Sequence, residues 1–196
     1  MIESVDLSQR STALRHRVEE KTQQSLHAAK SLTRLASRLE QPLTLDAVLN
    51  IMCEETSLLL GVDIVSILLP YKRGEMLYAV PQGALPYCFA RTNGTSKFFY
   101  DEVLRQTGTA RIVPDTQAFS TLLGANVYSE LKIHTTVAAA ILLGNELIGV
   151  LSVGVKNADR VFDKTEFTLL QSVANQAAQA IVNAQLLEKA RRYWLP

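Results

Sequence analysis

Cysteine is scarce in this 196-residue chain: Cys53 and Cys88 are the two, far apart and outside any CxxC pair. That excludes a disulfide-stapled scaffold and a thiolate zinc site, and reduced, buried thiols are the expected state. Long apolar runs are absent too, none approaching the roughly twenty residues of a membrane span. The opening Met-Ile-Glu-Ser-Val-Asp has neither the basic start nor the apolar stretch of a signal peptide. A soluble, cytoplasmic protein without membrane insertion is therefore expected. Charge of one sign is lacking as well, the formal net charge being +1. Basic and acidic residues number seven and five up to Glu40, nine and twelve from Gln41 to Asp163, and four and two beyond. No segment has the basic excess of a nucleic-acid footprint. Nor is there a Ser-His-Asp set, a metal-ligand cluster or a phosphate-cradling glycine loop, so no enzyme is expected.

What the chain does have is clearest in its last sixty residues. Two apolar runs, Thr135 to Leu143 and Glu146 to Val155, flank Gly144-Asn145, a dipeptide that accepts the positive φ of a tight hairpin turn. An antiparallel pair follows from this spacing. A polar loop then leads to Phe162 and Asp163, where three helix-start signals coincide. Asp163 is the N-cap, Glu166 closes a capping box, and Phe162 can staple onto Phe167. Phe167, Leu170, Val173, Ala174, Ala177, Ile181, Ala184 and Leu187 recur at helical spacing, and the alanines allow close approach of a sheet or another helix.

No proline or glycine interrupts Met1 to Gln41, and Leu14, Val18, Lys21, Ser25, Ala28, Leu32, Leu35 and Leu39 alternate in steps of four and three. This heptad-like seam predicts a long helix that pairs with a partner helix in a dimer, weakened in the middle by Lys21 and Ser25. The competing arrangement is one amphipathic helix folded back on its own domain. Pro42 ends it. A second helix runs from Thr44 to a stop at Gly61, with Leu45, Val48, Leu49, Met52, Thr56 and Leu59 or Leu60 on one face and Cys53 beside them.

Asp63 to Pro70 is a β-branched strand, Tyr71 to Gly74 a turn and Glu75 to Val80 its hairpin partner. Pro81 to Thr95 reads as a loop, Ser96 to Thr107 as a short helix ended by Gly108, Ala110 to Val113 as a strand, and Thr116 to Gly124 as another short helix. Hairpin-linked strands with helices at both ends predict an α+β fold around an antiparallel sheet of about five to six strands. The organisation expected is an N-terminal helix over 1–40, a domain over 41–187 and a helical extension over 188–196.

From about Leu39 to Leu187, about three quarters of the chain, the sequence resembles a GAF domain, the small-molecule sensing module of signalling proteins. The resemblance rests on Leu45 to Leu60 with Gly61-Val-Asp, on Gln106-Thr-Gly-Thr-Ala-Arg-Ile-Val-Pro-Asp115, on Leu142 to Val153, and on Phe162, Glu166, Leu170, Ala174, Gln176, Ala178, Ile181, Asn183 and Ala184. It implies terminal helices on one face of the sheet and a ligand pocket on the other, covered by segments between Pro81 and His134. It also implies terminal helices that pair as a homodimer and pass a change in packing to an output domain, on a longer chain or a separate one.

The family's ligand classes find departures here. Cyclic-nucleotide binders carry Asn-Lys, Phe and Asp-Glu; this chain has Lys156-Asn157, Phe162 and Glu166-Phe167. Bilin attachment uses a cysteine usually followed by histidine, whereas Cys88 precedes Phe89. Haem needs an axial histidine; His16 and His27 lie on the first helix and His134 is expected to be structural. GAF-type methionine sulfoxide reductases use a fuller cysteine set than Cys53 and Cys88. No cofactor is assigned. The segments that the resemblance places over the open face contribute Tyr78, Phe98, Phe99, Asp115, Phe119, His134 and Thr136 as candidate ligand-binding residues, aromatics with a few polar groups as small-ligand sites require. The parity that turns Thr135 or Thr136 inward is not fixed by sequence. Two functions follow: a sensor that relays occupancy through its helices, or a dimerisation spacer with a vestigial pocket.

Overall fold

The computed structural model describes the backbone of residues 2–70, 76–79, 90–92, 111–113 and 132–194, and the side chains of residues 13–69 and 132–191. In chain order these form α1 (Ile2–Leu39), α2 (Leu45–Leu60), β1 (Ile64–Pro70), β2 (Met76–Ala79), β3 (Ala90–Thr92), β4 (Arg111–Val113), β5 (Thr135–Leu143), β6 (Glu146–Val155) and α3 (Lys164–Trp194). The strands make one sheet in the order β3-β2-β1-β6-β5-β4, and every neighbouring pair is antiparallel. The fold is α+β: among the described residues three helices accompany a sheet with the long strands β1, β5 and β6 at its centre.

Local chemistry sets the element ends. The Thr44 hydroxyl accepts the Ala47 N–H at 3.3 Å to start α2. Gly61 ends it at φ 59° and ψ 46°, the left-handed region that favours glycine, with its N–H on the Ser57 carbonyl. At α3 the capping box closes in both directions: Glu166 N–H donates to Asp163 Oδ1 at 2.9 Å, and Asp163 N–H to Glu166 Oε2 at 3.0 Å. In the β5–β6 turn Gly144 alone takes a positive φ, 60°.

Side-chain alternation divides the sheet. Val65, Ile67 and Leu69 of β1, Val137, Ala139 and Ile141 of β5, and Leu151, Val153 and Val155 of β6 share one core with Val48, Leu49 and Met52 of α2 and Leu170, Val173, Ala174, Ala177, Ala178, Ile181 and Ala184 of α3. Each large apolar side chain sunk there contributes roughly 2 kcal/mol. The alanine stripe of α3 is thus buried against the sheet and against α2, both kinds of neighbour that its spacing allowed. Gln171 of α3 also donates from Nε2 to the Ala140 carbonyl of β5 at 2.8 Å.

The structure corrects two expectations. Within the span read as a loop from Pro81 to Thr95, Ala90–Thr92 is strand β3, paired with Met76 to Tyr78. A three-residue edge strand is held by its neighbour's ladder and needs no period of its own. Second, the heptad-like seam of α1 is not one continuous partner-facing stripe. Leu35 is 1% exposed inside the domain core, with Leu32 and Leu39 packed against it. The C-terminal third of α1 folds back on its own domain, while every side chain from Ala13 to His27 is exposed. The helices proposed at 96–107 and 116–124 lie outside the described residues.

Candidate functional site

The face of the sheet turned away from the helices is the candidate site. Strand parity places Ile64, Ser66 and Leu68 of β1 there, beside Val150, Ser152 and Gly154 of β6 and Thr136, Ala138 and Ala140 of β5. Register aligns them in rows: Ser66 opposite Ser152 opposite Ala138, and Ile64 opposite Gly154 opposite Thr136. The side chains on this face are buried yet stand outside the helix-side core.

The centre of this floor is small and hydroxylated. Thr136 Oγ1 donates to the Val153 carbonyl at 2.8 Å and lies 3.0 Å from Ser152 Oγ. Ser66 and Ser152 are each 1% exposed. Gly154 leaves no room for a side chain, since a Cβ there would stand 2.7 Å from Ile133 Cγ2 and 2.8 Å from Ile64 Cγ2. Polar hydroxyls beneath apolar flanks can orient a ligand by hydrogen bonds while excluding water.

Of the seven sequence candidates, Thr136 lies on this floor. Parity also resolves its neighbour: Thr135 falls on the helix side, in step with Val137 and Ala139. His134 is exposed, and its backbone N–H continues the ladder to the Val155 carbonyl at 2.9 Å. Tyr78 sits in β2 opposite Leu68 and Ala90. Its side chain, and all of Phe98, Phe99, Asp115 and Phe119, lie outside the described residues. Sequence reasoning missed Ser66 and Ser152. The signal was present: each is a lone serine inside an otherwise apolar strand, a position that costs free energy unless a partner is nearby.

Around the site, polar groups are committed to structure. Glu166, at the position that departs from the cyclic-nucleotide signature, caps α3 and pairs with Arg160, whose guanidinium stands 5.0 Å from the Phe162 ring centroid. Lys156 N–H donates to Asp63 Oδ2 at 2.8 Å, tying β6 to the start of β1. Cys53 is buried on α2, and desolvation pushes its thiol up to about 12. A thiol so placed is poorly nucleophilic. Among the described residues no group of three or more His, Cys, Asp or Glu side chains could hold a metal ion, and no helix is long and apolar enough to cross a membrane.

Among the described residues, an antiparallel sheet with helices on one face and a buried, partly polar second face defines an α+β class of domain. The family model for the GAF domain matches residues 44–181, and the chain belongs to that family. Solved structures share the fold. The phycoerythrobilin-bound GAF domain of a cyanobacterial phytochrome is 20% identical with a TM-score of 0.64, the match covering 82% of this chain and 96% of that one. The GAF domain of a phosphoenolpyruvate-protein phosphotransferase from Coxiella burnetii is 15% identical with a TM-score of 0.69, covering 84% and 98%. Its counterpart from Acinetobacter is 16% identical with a TM-score of 0.64, covering 81% and 95%. No protein of curated function matches the sequence.

Proposed function

We propose that this chain is a regulatory domain that binds a small molecule against the Ser66–Ser152–Thr136 face of its sheet and relays occupancy through α1 and α3. The observation that carries the reading is the two-sidedness of β1, β5 and β6. One face is filled by helix side chains, and the other sets the small and hydroxylated Ser66, Ser152, Gly154, Thr136, Ala138 and Ala140 among Ile64, Leu68 and Val150. Membership of a family of sensory modules supports the same role, and a GAF relative holds a bilin.

The relay is proposed to run through a homodimer of the terminal helices. Residues 13–27 of α1 extend with no side chain covered by the domain, and Leu14 and Val18 are 66% and 58% exposed. A helix of that length without packing is marginal in water, and a partner helix supplies the burial it lacks.

The test is a thermal-shift panel of nucleotides, amino acids, tetrapyrroles and organic acids. A ligand at a hundredfold its dissociation constant should raise the midpoint by roughly 5–10 °C for a domain of this size. The same ligand should lose that effect on Ser152→Leu, which fills the floor. A flat panel with the dimer intact would favour a spacer instead.

A further inference from the structure

Among the described residues, Glu55 of α2 is the only charged side chain that is buried, at 3% exposure, and α1 supplies its partners. Arg34 donates from Nε at 2.7 Å and places Nη2 2.6 Å away, both on Oε2. Arg38, one turn further along α1, donates from Nη1 to Oε1 at 2.7 Å and reaches Glu54 with Nη2 at 2.9 Å. Between the two arginines Leu35 enters the core. Both carboxylate oxygens of one buried group are therefore held from two successive turns of a neighbouring helix.

Such a pair resists partial displacement. With one arginine lifted, Glu55 would remain buried with half its charge unmatched, the costly arrangement for an ion pair in a protein interior. With both lifted, α1 is out of the way and water can solvate the carboxylate. The guanidinium groups already stand partly in water, with side chains 52% and 38% exposed, so their own release is cheap. The apolar grip beside them is short: Leu35 is buried, Leu32 and Leu39 are partly so. By contrast α3 sinks seven apolar side chains into the core and packs on β5 and β6.

We infer that Arg34, Arg38 and Glu55 form a latch that makes the seating of α1 two-state, so that residues 28–39 leave and rejoin the domain as a unit while the sheet stays folded. The position of α1 is then a conformational variable of the folded protein, whatever the far face of the sheet binds.

Native-state hydrogen exchange on the whole chain at low denaturant tests this. Amides of residues 28–39 should open together at least about tenfold more often than those of β5 and β6. Glu55→Gln should speed exchange over 28–39 by about tenfold again, with those amides still opening at least about tenfold more often than β5 and β6. The latch is overturned if wild-type residues 28–39 exchange only with global unfolding. It is equally overturned if Glu55→Gln leaves exchange over 28–39 unchanged. Should that variant not fold, the wild-type measurement decides alone.

Discussion

Glu55 shows how one side chain can tie pH to stability. Burial opposes its charge, but the hydrogen bonds from Arg34 and Arg38 outweigh burial, and its carboxyl is held below the usual carboxylate range. The charged groups reaching it are Arg34 and Arg38 from α1, with Glu54 beside it on α2. A carboxylate with a lowered folded pKa contributes stability that is complete above its unfolded value, about 4.3, and is lost as pH falls through the folded value. Thermal midpoints of the wild type should therefore drop below about pH 4.3 more steeply than those of Glu55→Gln. Arg34→Met with Arg38→Met leaves the carboxylate buried without partners. A loss of about 2 kcal/mol in chemical denaturation is expected, a discounted value because both heads are partly in water. Cys53 yields the opposite kind of prediction. With its thiol pushed up to about 12, iodoacetamide at pH 8 followed by peptide mapping should find it alkylated only after denaturation.

Among elements, the closing hairpin and α3 were the most legible in the sequence because their signals are local. Gly144 takes the turn φ, Asp163 and Glu166 cap one another, and the alanine stripe is buried where its period placed it. Asp163→Ala should cost about 1 kcal/mol, read as a lowered denaturation midpoint. Less legible was the register of the hairpin. Ile141 pairs with Gly149 and Leu142 with Leu147, so Ile148 is an extra residue on β6. Beside this bulge, a Cβ on Gly149 would stand 2.6 Å from the Leu68 carbonyl oxygen. Gly149→Ala should accordingly destabilise by about 2 kcal/mol, because the obstructing atom is backbone and cannot turn aside. Spacing could announce a strand there but not the approach of β1 behind it.

For the whole molecule, the outer part of α1 carries the dimer proposal, with Leu14 and Val18 exposed. Leu14→Ser with Val18→Ser should convert a dimer to a monomer in sedimentation while the thermal midpoint at high concentration falls only by its loss of association. A wild-type monomer at all concentrations would remove the dimer proposal. Leu35 is unsuitable for that test, since its burial makes it part of the fold. Here the limit of sequence is plain. Period, caps and turn residues act over a few positions, and they determined α1, α2, α3, the central strands and the α+β class, while the family was legible only as a resemblance spread over segments from Leu45 to Ala184. Long-range contacts decided the rest: that the same heptad-like seam is internal at Leu35 and external at Leu14, that Glu55 is buried beneath two arginines twenty-one and seventeen residues away in sequence, and that Thr136 rather than Thr135 joins Ser152 on the far face. Apolar and paired charged residues look alike in sequence whether they meet their own domain or another surface, and only the packing of one element on another distinguishes them.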